Sequence, residues 1–351
     1  MKLVNILTPL AALALAGTAS AFEQPKVYDL QPNDRVIVLG DSTTAQGSTV
    51  SGHIHLVDQA LKDQVPALKA VVYGIGWSQH GSASLLGDKG LINQFVRTNP
   101  KAGPAAWKGG PPTVAIINMG LNDSKGGEAA LPAHVGNLRK VVLELCELKV
   151  TPIVCATSLW GGLKQTKAYA EAARALAVEL QCPLIDLYAA HAEHLTANPK
   201  DPMATFDGVH LAAAGEKLSA TTILQAFGLK PVWRECYVRF AVMRHNWSTG
   251  HWGSYTVEAE RPDGSKDKVS LECKGEPNAG VVAGGHPVGT KLTVTLNPPA
   301  GFEFTHWEDR DYRLAPAGSQ PDLGKSATIT LTLDRNRHLM GWVRPKNETP
   351  K

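Results

Sequence analysis

Val36-Ile37-Val38-Leu39-Gly40-Asp41-Ser42 is the stretch that decides the fold. An unbroken apolar run rich in β-branched residues reads as a strand buried on both faces, because a strand with one wet face would alternate. The glycine, acid and serine after it read as the exit from that strand, with Gly40 letting the backbone turn tightly and Ser42 near the start of a helix. That helix is marked by Ile54, Val57, Leu61 and Val65, which recur at spacings of three and four and share one face.

The same grammar repeats downstream. Ala70-Val71-Val72-Tyr73, Val114-Ala115-Ile116-Ile117, Pro152-Ile153-Val154-Cys155 and Pro183-Leu184-Ile185 read as further buried strands. Helical patterns fall between them or after them, at Val135, Leu138, Val142 and Leu145, from Lys167 to Leu180, and from Ala212 to Phe227. Buried strands alternating with helices imply a parallel sheet covered on both faces, so the fold class of this region is α/β. A long Gly/Pro-rich connection, from Ala102 to Pro112, precedes the third strand, and loops of that length are commonly functional or disordered.

Beyond Leu229 the pattern changes. Leu292-Thr293-Val294-Thr295-Leu296 and Ile329-Thr330-Leu331-Thr332-Leu333 alternate at period two, with Gly284-Gly285, Pro298-Pro299 and Gly318-Ser319 as turns. Residues 230–351 therefore read as a small C-terminal all-β module, with Gly228 to Pro231 as the hinge. At the other end, Lys2, the apolar run Ile6 to Ala16 and Ala19-Ser20-Ala21 have the form of a cleavable signal peptide over residues 1–21. The run is short for a bilayer span, so the expected product is secreted or periplasmic, with residues 22–229 as the α/β domain and no membrane span after cleavage.

The formal net charge of the whole chain is +3, with no long run of one sign, which argues against nucleic acid or an anionic membrane as partner. Of the five cysteines at least one is unpaired, and Cys236 with Cys273 is the pair favoured for a disulfide. Cys-x-x-Cys is absent, and His53 and His55, two apart on a helix, point in different directions, so no metal role is assigned.

Three short motifs carry chemistry. Ser42 follows the first strand, at the edge where a doubly wound sheet binds ligands. Asn122, in Gly120-Leu121-Asn122-Asp123, follows the third strand at the same edge and offers an amide to a developing oxyanion. In Asp207-Gly208-Val209-His210 a carboxylate three residues before a histidine can accept from one ring nitrogen while the other faces the serine. Each motif alone is ordinary turn chemistry.

Taken in this order they resemble the SGNH/GDSL hydrolase superfamily, whose blocks are Gly-Asp-Ser, a glycine after the second strand, Gly-x-Asn-Asp and Asp-x-x-His. The resemblance covers about Val36 to Phe227. It implies a flavodoxin-like three-layer α/β/α domain and ester hydrolysis through an acyl-enzyme, with no cofactor or metal. Ser42 would be the nucleophile, His210 its base and Asp207 the residue holding His210. The oxyanion hole would combine the Ser42 N–H, the Asn122 side chain and a backbone N–H after the second strand. There the sequence departs from the family, because the glycine aligns with Gly76 or, by strand register, with Gln79 of Tyr73-Gly74-Ile75-Gly76-Trp77-Ser78-Gln79-His80. Trp77 and Trp160 flank this edge, either as a sugar-stacking wall or as packing residues.

The C-terminal stretch from Gly289 through Phe302, Phe304 and Trp307 resembles divergent internalin-type B-repeats, with those aromatics as its core and glycan or cell-wall contact as the functional alternative. Export and the added module point to an acetylated polysaccharide or a related small ester as substrate, with a lipid or aryl ester as the alternative. A non-catalytic exported carbohydrate-binding protein on the same scaffold is the rival class.

Overall fold

The computed structural model describes residues 22–49, 51–97, 110–158, 166–199, 209–231, 233, 235–244, 253–273, 281–309 and 322–347. The expected signal segment, Trp160 and Asp207 lie outside the described residues.

The apolar runs form a five-stranded sheet of β1 (Arg35–Asp41), β2 (Val71–Trp77), β3 (Val114–Asn118), β4 (Thr151–Ala156) and β5 (Leu184–Asp186). Its order is β2-β1-β3-β4-β5, and every neighbouring pair is parallel. Six helices accompany it: α1 (Ser42–Gly47), α2 (His53–Gln64), α3 (Gly127–Glu147), α4 (Thr166–Glu179), α5 (Leu187–Ala197) and α6 (Ala213–Ala226). The period-two pleat explains the unbroken apolar strands. Val36 and Val38 face a core built with α2 and α6, while Ile37 and Leu39 face a second core built with α3 and α4. All four side chains of that run are buried, and burying one such side chain contributes roughly 1.5–3 kcal/mol. The chain order places a topological switch between β1 and β3, where two adjacent strands send their exits to opposite sides and leave a crevice.

The C-terminal residues form two four-stranded sheets. One, in the order β12-β10-β7-β8, uses β7 (Ser254–Glu260), β8 (Lys266–Glu272), β10 (Lys291–Asn297) and β12 (Thr328–Thr332). The other, β11-β13-β6-β9, uses β6 (Glu235–Arg244), β9 (Val281–Pro287), β11 (Phe302–Asp309) and β13 (Arg337–Pro345), with β13 parallel to β6. Alternate residues of both sheets enter one core, Val238, Phe240 and Leu339 from one side and Tyr255, Leu292 and Val294 from the other. Trp307 is buried there, with Phe302 and Phe304 packed against it. At the start of β6, Trp233 and Tyr237 pack on the α2/α6 core of the parallel-sheet region.

The expected Cys236–Cys273 disulfide is not formed, and both are buried free thiols. Cys236 opens β6, whereas the Cys273 sulfur lies at the Val242 N–H, six residues further along the strand. At the rise of a strand that separation is about 20 Å, far beyond the roughly 7 Å limit between bridged Cα atoms.

Candidate active site

The site is built at the carboxyl ends of β1, β2 and β3, around the switch point. Gly40 does not turn the chain, as expected from sequence; it is still inside β1, in register with Gly76 of β2 and Asn118 of β3. Its missing side chain serves a close approach: a Cβ there would stand 1.9 Å from Thr44 Oγ1 and 2.8 Å from the Asn118 carbonyl. The turn begins one residue later. Asp41 is the N-cap of α1, its Oδ1 accepting from the Thr43 N–H at 2.9 Å and the Thr43 hydroxyl at 2.8 Å. Ser42 is then the first residue of α1, half-buried, its N–H among the first-turn donors that have no intrahelical acceptor.

Gly76 and Gln79, the two positions for the second block, differ in conformation. Gly76 lies within β2, and a Cβ on it would meet the Asp41 carbonyl at 2.1 Å and the Ala45 nitrogen at 2.4 Å, so it lets α1 lie directly on the strand. Gln79 sits in the turn after β2, closed by His80 N–H to the Trp77 carbonyl at 3.3 Å, with φ +66°. That is the left-handed region, which costs an L-residue roughly 1–2 kcal/mol and which glycine occupies freely. By conformation it is Gln79, not Gly76, that stands where a glycine is wanted.

Asn122 connects the two turns. Its amide nitrogen donates to the His80 carbonyl at 3.0 Å, and its carbonyl accepts from Lys125 Nζ at 2.8 Å, which fixes the amide orientation. The second amide hydrogen has only the 3.4 Å contact to Asp41 Oδ2, so it is available to a stronger acceptor. His210 lies just before α6, and its charge is felt at Asp41, the residue preceding Ser42. Asp41, Ser42 and Asn122 are thus gathered at one edge, with His210 within electrostatic reach of Asp41, while Asp207 is not among the described residues. Trp77, at the end of β2, packs partly on the α3/α4 core and meets the His80 ring edge-on at 5.3 Å.

Sequence reasoning missed the group that holds these turns together. Asp123, next to Asn122, accepts from the Ser82 N–H at 3.0 and 2.9 Å and from the Ser82 hydroxyl at 2.7 Å. His134 Nδ1, on α3, is 3.4 Å from Asp123 Oδ2, too long for a good hydrogen bond. Burial alone would raise the Asp123 pKa, but His134 and the Ser82 donors outweigh it and hold the carboxyl below its ordinary value. Asp41 goes the other way: burial pushes it up, against the Thr43 donors and the charge of His210, with Asp123 adding to the rise. Asp123 was in view beside Asn122, but nothing in the spacing marks His134 or Ser82 as its partners.

His53 and His55 diverge. His53 is buried, with its N–H and Nδ1 at 2.7 and 2.6 Å from Glu216 Oε2, whereas His55 meets the Tyr237 ring edge-on at 5.7 Å.

A family model described as GDSL-like lipase/acylhydrolase matches residues 38–218, more than half of the chain. The chain belongs to that family. The matched span runs from within β1 into α6 and contains the residues of the edge described above. Among solved structures the chain is similar to the acetyl xylan esterase AlAXEase, at 23% identity over 55% of this chain and 98% of that one, with a TM-score of 0.46. It is also similar to Axe2, an acetylxylan esterase from Geobacillus stearothermophilus, at 21% identity over 59% of this chain and 99% of that one, with a TM-score of 0.47. No curated protein matches the chain. Among the described residues no helix is long and apolar enough to cross a membrane.

Proposed function

We propose that the chain is an exported GDSL-type esterase that removes acyl groups, acetyl above all, from hydroxyl-rich alcohols such as carbohydrates, through an acyl-enzyme on Ser42. His210 accepts the Ser42 proton as Ser42 Oγ attacks the ester carbonyl, and Asp207 holds the imidazole in the needed tautomer. The oxyanion is met by the Ser42 N–H, by a backbone N–H of the turn at Gln79 and by the Asn122 amide. His210 returns the proton to the departing alcohol, and water then hydrolyses the acyl-enzyme by the same route.

The observation that carries this reading is the half-committed Asn122 amide. It stands between Asp41, one residue before Ser42, and His80, one residue after Gln79, with its second hydrogen held only by the 3.4 Å contact to Asp41 Oδ2. Carbohydrate as the alcohol is supported by the polar rim of Gln79, His80 and Asn122, since a lipase crevice would need an apolar wall for its acyl chain. Export rests on the signal-like residues 1–21. The test is Ser42→Ala, assayed with p-nitrophenyl acetate and with a fluorophosphonate probe. The variant should lose hydrolysis and labelling with an unchanged melting temperature; activity persisting at about a tenth of wild type would assign the nucleophile elsewhere.

A further inference from the structure

The turn after β2 carries more than a backbone donor. Gln79 keeps a side chain at a left-handed position, one of six non-glycine residues to do so among the described residues, with Asn33, Ser51, Lys69, Lys149 and Gln181. Lys149 and Gln181 follow α3 and α4, and Lys69 closes the short turn Pro66–Leu68, places where a left-handed residue is an ordinary way to end a helical turn and satisfy its last carbonyls. Gln79 ends no helix. Its side chain is exposed and makes no hydrogen bond to any described residue, so among the described residues none repays the strain of carrying it. Strain kept beside a reactive crevice, without an internal partner, is what a side chain serving a ligand would show.

His80, the next residue, is also exposed. Its Nδ1 is 2.8 Å from the Ser78 carbonyl, which can only accept, so Nδ1 is the donor there and in the neutral ring Nε2 is the acceptor. The ring is braced against Trp77, and its own carbonyl is held by Asn122. One turn therefore offers an amide that can donate and accept, and an imidazole nitrogen that accepts. They lie two and three residues beyond Trp77, the strand end that pairs with Asp41.

We propose that the Gln79 and His80 side chains form the specificity subsite for the alcohol half of the ester, reading vicinal hydroxyls of a sugar ring next to the acylated oxygen. This rests on the proposed acyl transfer at Ser42. Two neighbouring hydroxyls present the donor and acceptor pattern that an amide and an imidazole nitrogen complement, whereas a p-nitrophenolate leaving group has no hydroxyl to donate. These are specificity residues: they discriminate between alcohols and take no proton from Ser42.

The experiment compares kcat/KM for an acetylated xylo-oligosaccharide with that for p-nitrophenyl acetate, in wild type, Gln79→Gly and His80→Ala. Glycine suits the left-handed turn and retains the backbone N–H; alanine at position 80 retains the carbonyl that Asn122 uses. Each variant should lower the ratio of sugar ester to aryl ester about five- to tenfold, the loss of one hydrogen bond to a neutral partner, and Gln79→Gly should also raise the melting temperature. The readout is a ratio, so a general change in rate cancels. A ratio unchanged within twofold in both variants overturns the subsite. A wild type that cleaves p-nitrophenyl acetate but no sugar acetate overturns the sugar as ligand and leaves the esterase reading intact. A wild type that cleaves neither refutes the acyl-transfer reading itself.

Discussion

Replacing Asp123 by alanine tests whether the two turns at the crevice are held by one carboxylate. In wild type its oxygens take both donors of Ser82, a residue with no exposed surface, at 2.7 to 3.0 Å, and stand 3.4 Å from buried His134. A hydrogen bond to a charged group is worth about 1.5–3 kcal/mol, and the orphaned Ser82 N–H adds its desolvation cost. Water entering the gap and the Asn137 amide, 3.1 Å from Ser82 Oγ, recover part of this. A net loss of about 3 kcal/mol is expected, which in a domain of this size lowers the melting temperature by roughly 6–12 °C. The same bonds tie the segment carrying Gln79 and His80 to the one carrying Asn122. Their loosening should displace an oxyanion donor and lower kcat about a hundredfold, with little change in KM. Asp123→Asn, which retains one acceptor oxygen, should restore part of both. The assays are calorimetry and p-nitrophenyl acetate kinetics at a temperature where each variant is folded. A melting temperature that falls as stated with kcat within threefold of wild type would refute the link to catalysis, and an unchanged melting temperature would refute the energetics. The pH dependence follows from the lowered pKa. The stability from Asp123 is present above the unfolded value of about 3.9 and is lost as pH falls through the lower folded value, so the gap between wild type and Asp123→Ala should narrow in acid.

Asp41→Asn should act in the opposite sense: it keeps an acceptor for the α1 cap but removes a buried carboxylate whose pKa is pushed up. The folded state favours the protonated acid, so that contribution is present below about pH 3.9 and lost as pH rises through the folded value. The variant should melt a few degrees higher than wild type at pH 7 and no higher at pH 3; a loss of stability equal at both would refute the reading. Gly76→Ala forces a methyl against the Asp41 carbonyl and the Ala45 nitrogen, both backbone, so α1 must shift. Overpacking of this kind costs about 3 kcal/mol, and a melting temperature within 2 °C of wild type, equivalent to about 1 kcal/mol or less, would show that α1 yields without strain.

What the sequence reveals here is whatever repeats or alternates. The five buried strands and the helices α2, α3, α4 and α6 stand close to where their patterns place them, because burial on both faces of a parallel sheet leaves unbroken apolar runs. Helix α5 was not seen, since its apolar residues form no clear stripe; the legible signal is Asp186, whose side chain caps it at Ala189 and also pairs with Arg174. In the β-sandwich the two strands with strict alternation, β10 and β12, are legible. β13 is not, because Leu339 enters the sandwich core while neighbouring Met340 is buried on the other face. At the crevice, Ser42 and Asn122 are legible as local motifs, whereas the Asp123–Ser82–His134 group joins three segments distant in the chain and leaves no local trace. The misread disulfide has the same origin: sequence places Cys236 and Cys273 in one module but not at opposite ends of one strand.

The two aspartates at the crevice show how environment divides one residue type between two roles. Both follow a strand of the switch point, Asp41 at the end of β1 and Asp123 beyond β3, and the charge of Asp123 adds to the rise in the Asp41 pKa. Asp123 is given both donors of Ser82 and the nearby His134 ring, and so remains an anion that fastens loops. Asp41 is given the start of a short helix, deep burial and one 3.4 Å amide contact, and its charge is disfavoured. In the proposed reaction an oxyanion forms beside that same Asn122 amide. A full negative charge on Asp41 would oppose it both by repulsion and by competing for the hydrogen. Burial that raises the Asp41 pKa weakens the competitor while leaving its oxygen in place to cap α1. Helix geometry needs an acceptor at that position, and burial, with the charge of Asp123 adding to it, makes the anionic form of that carboxyl the less favoured one.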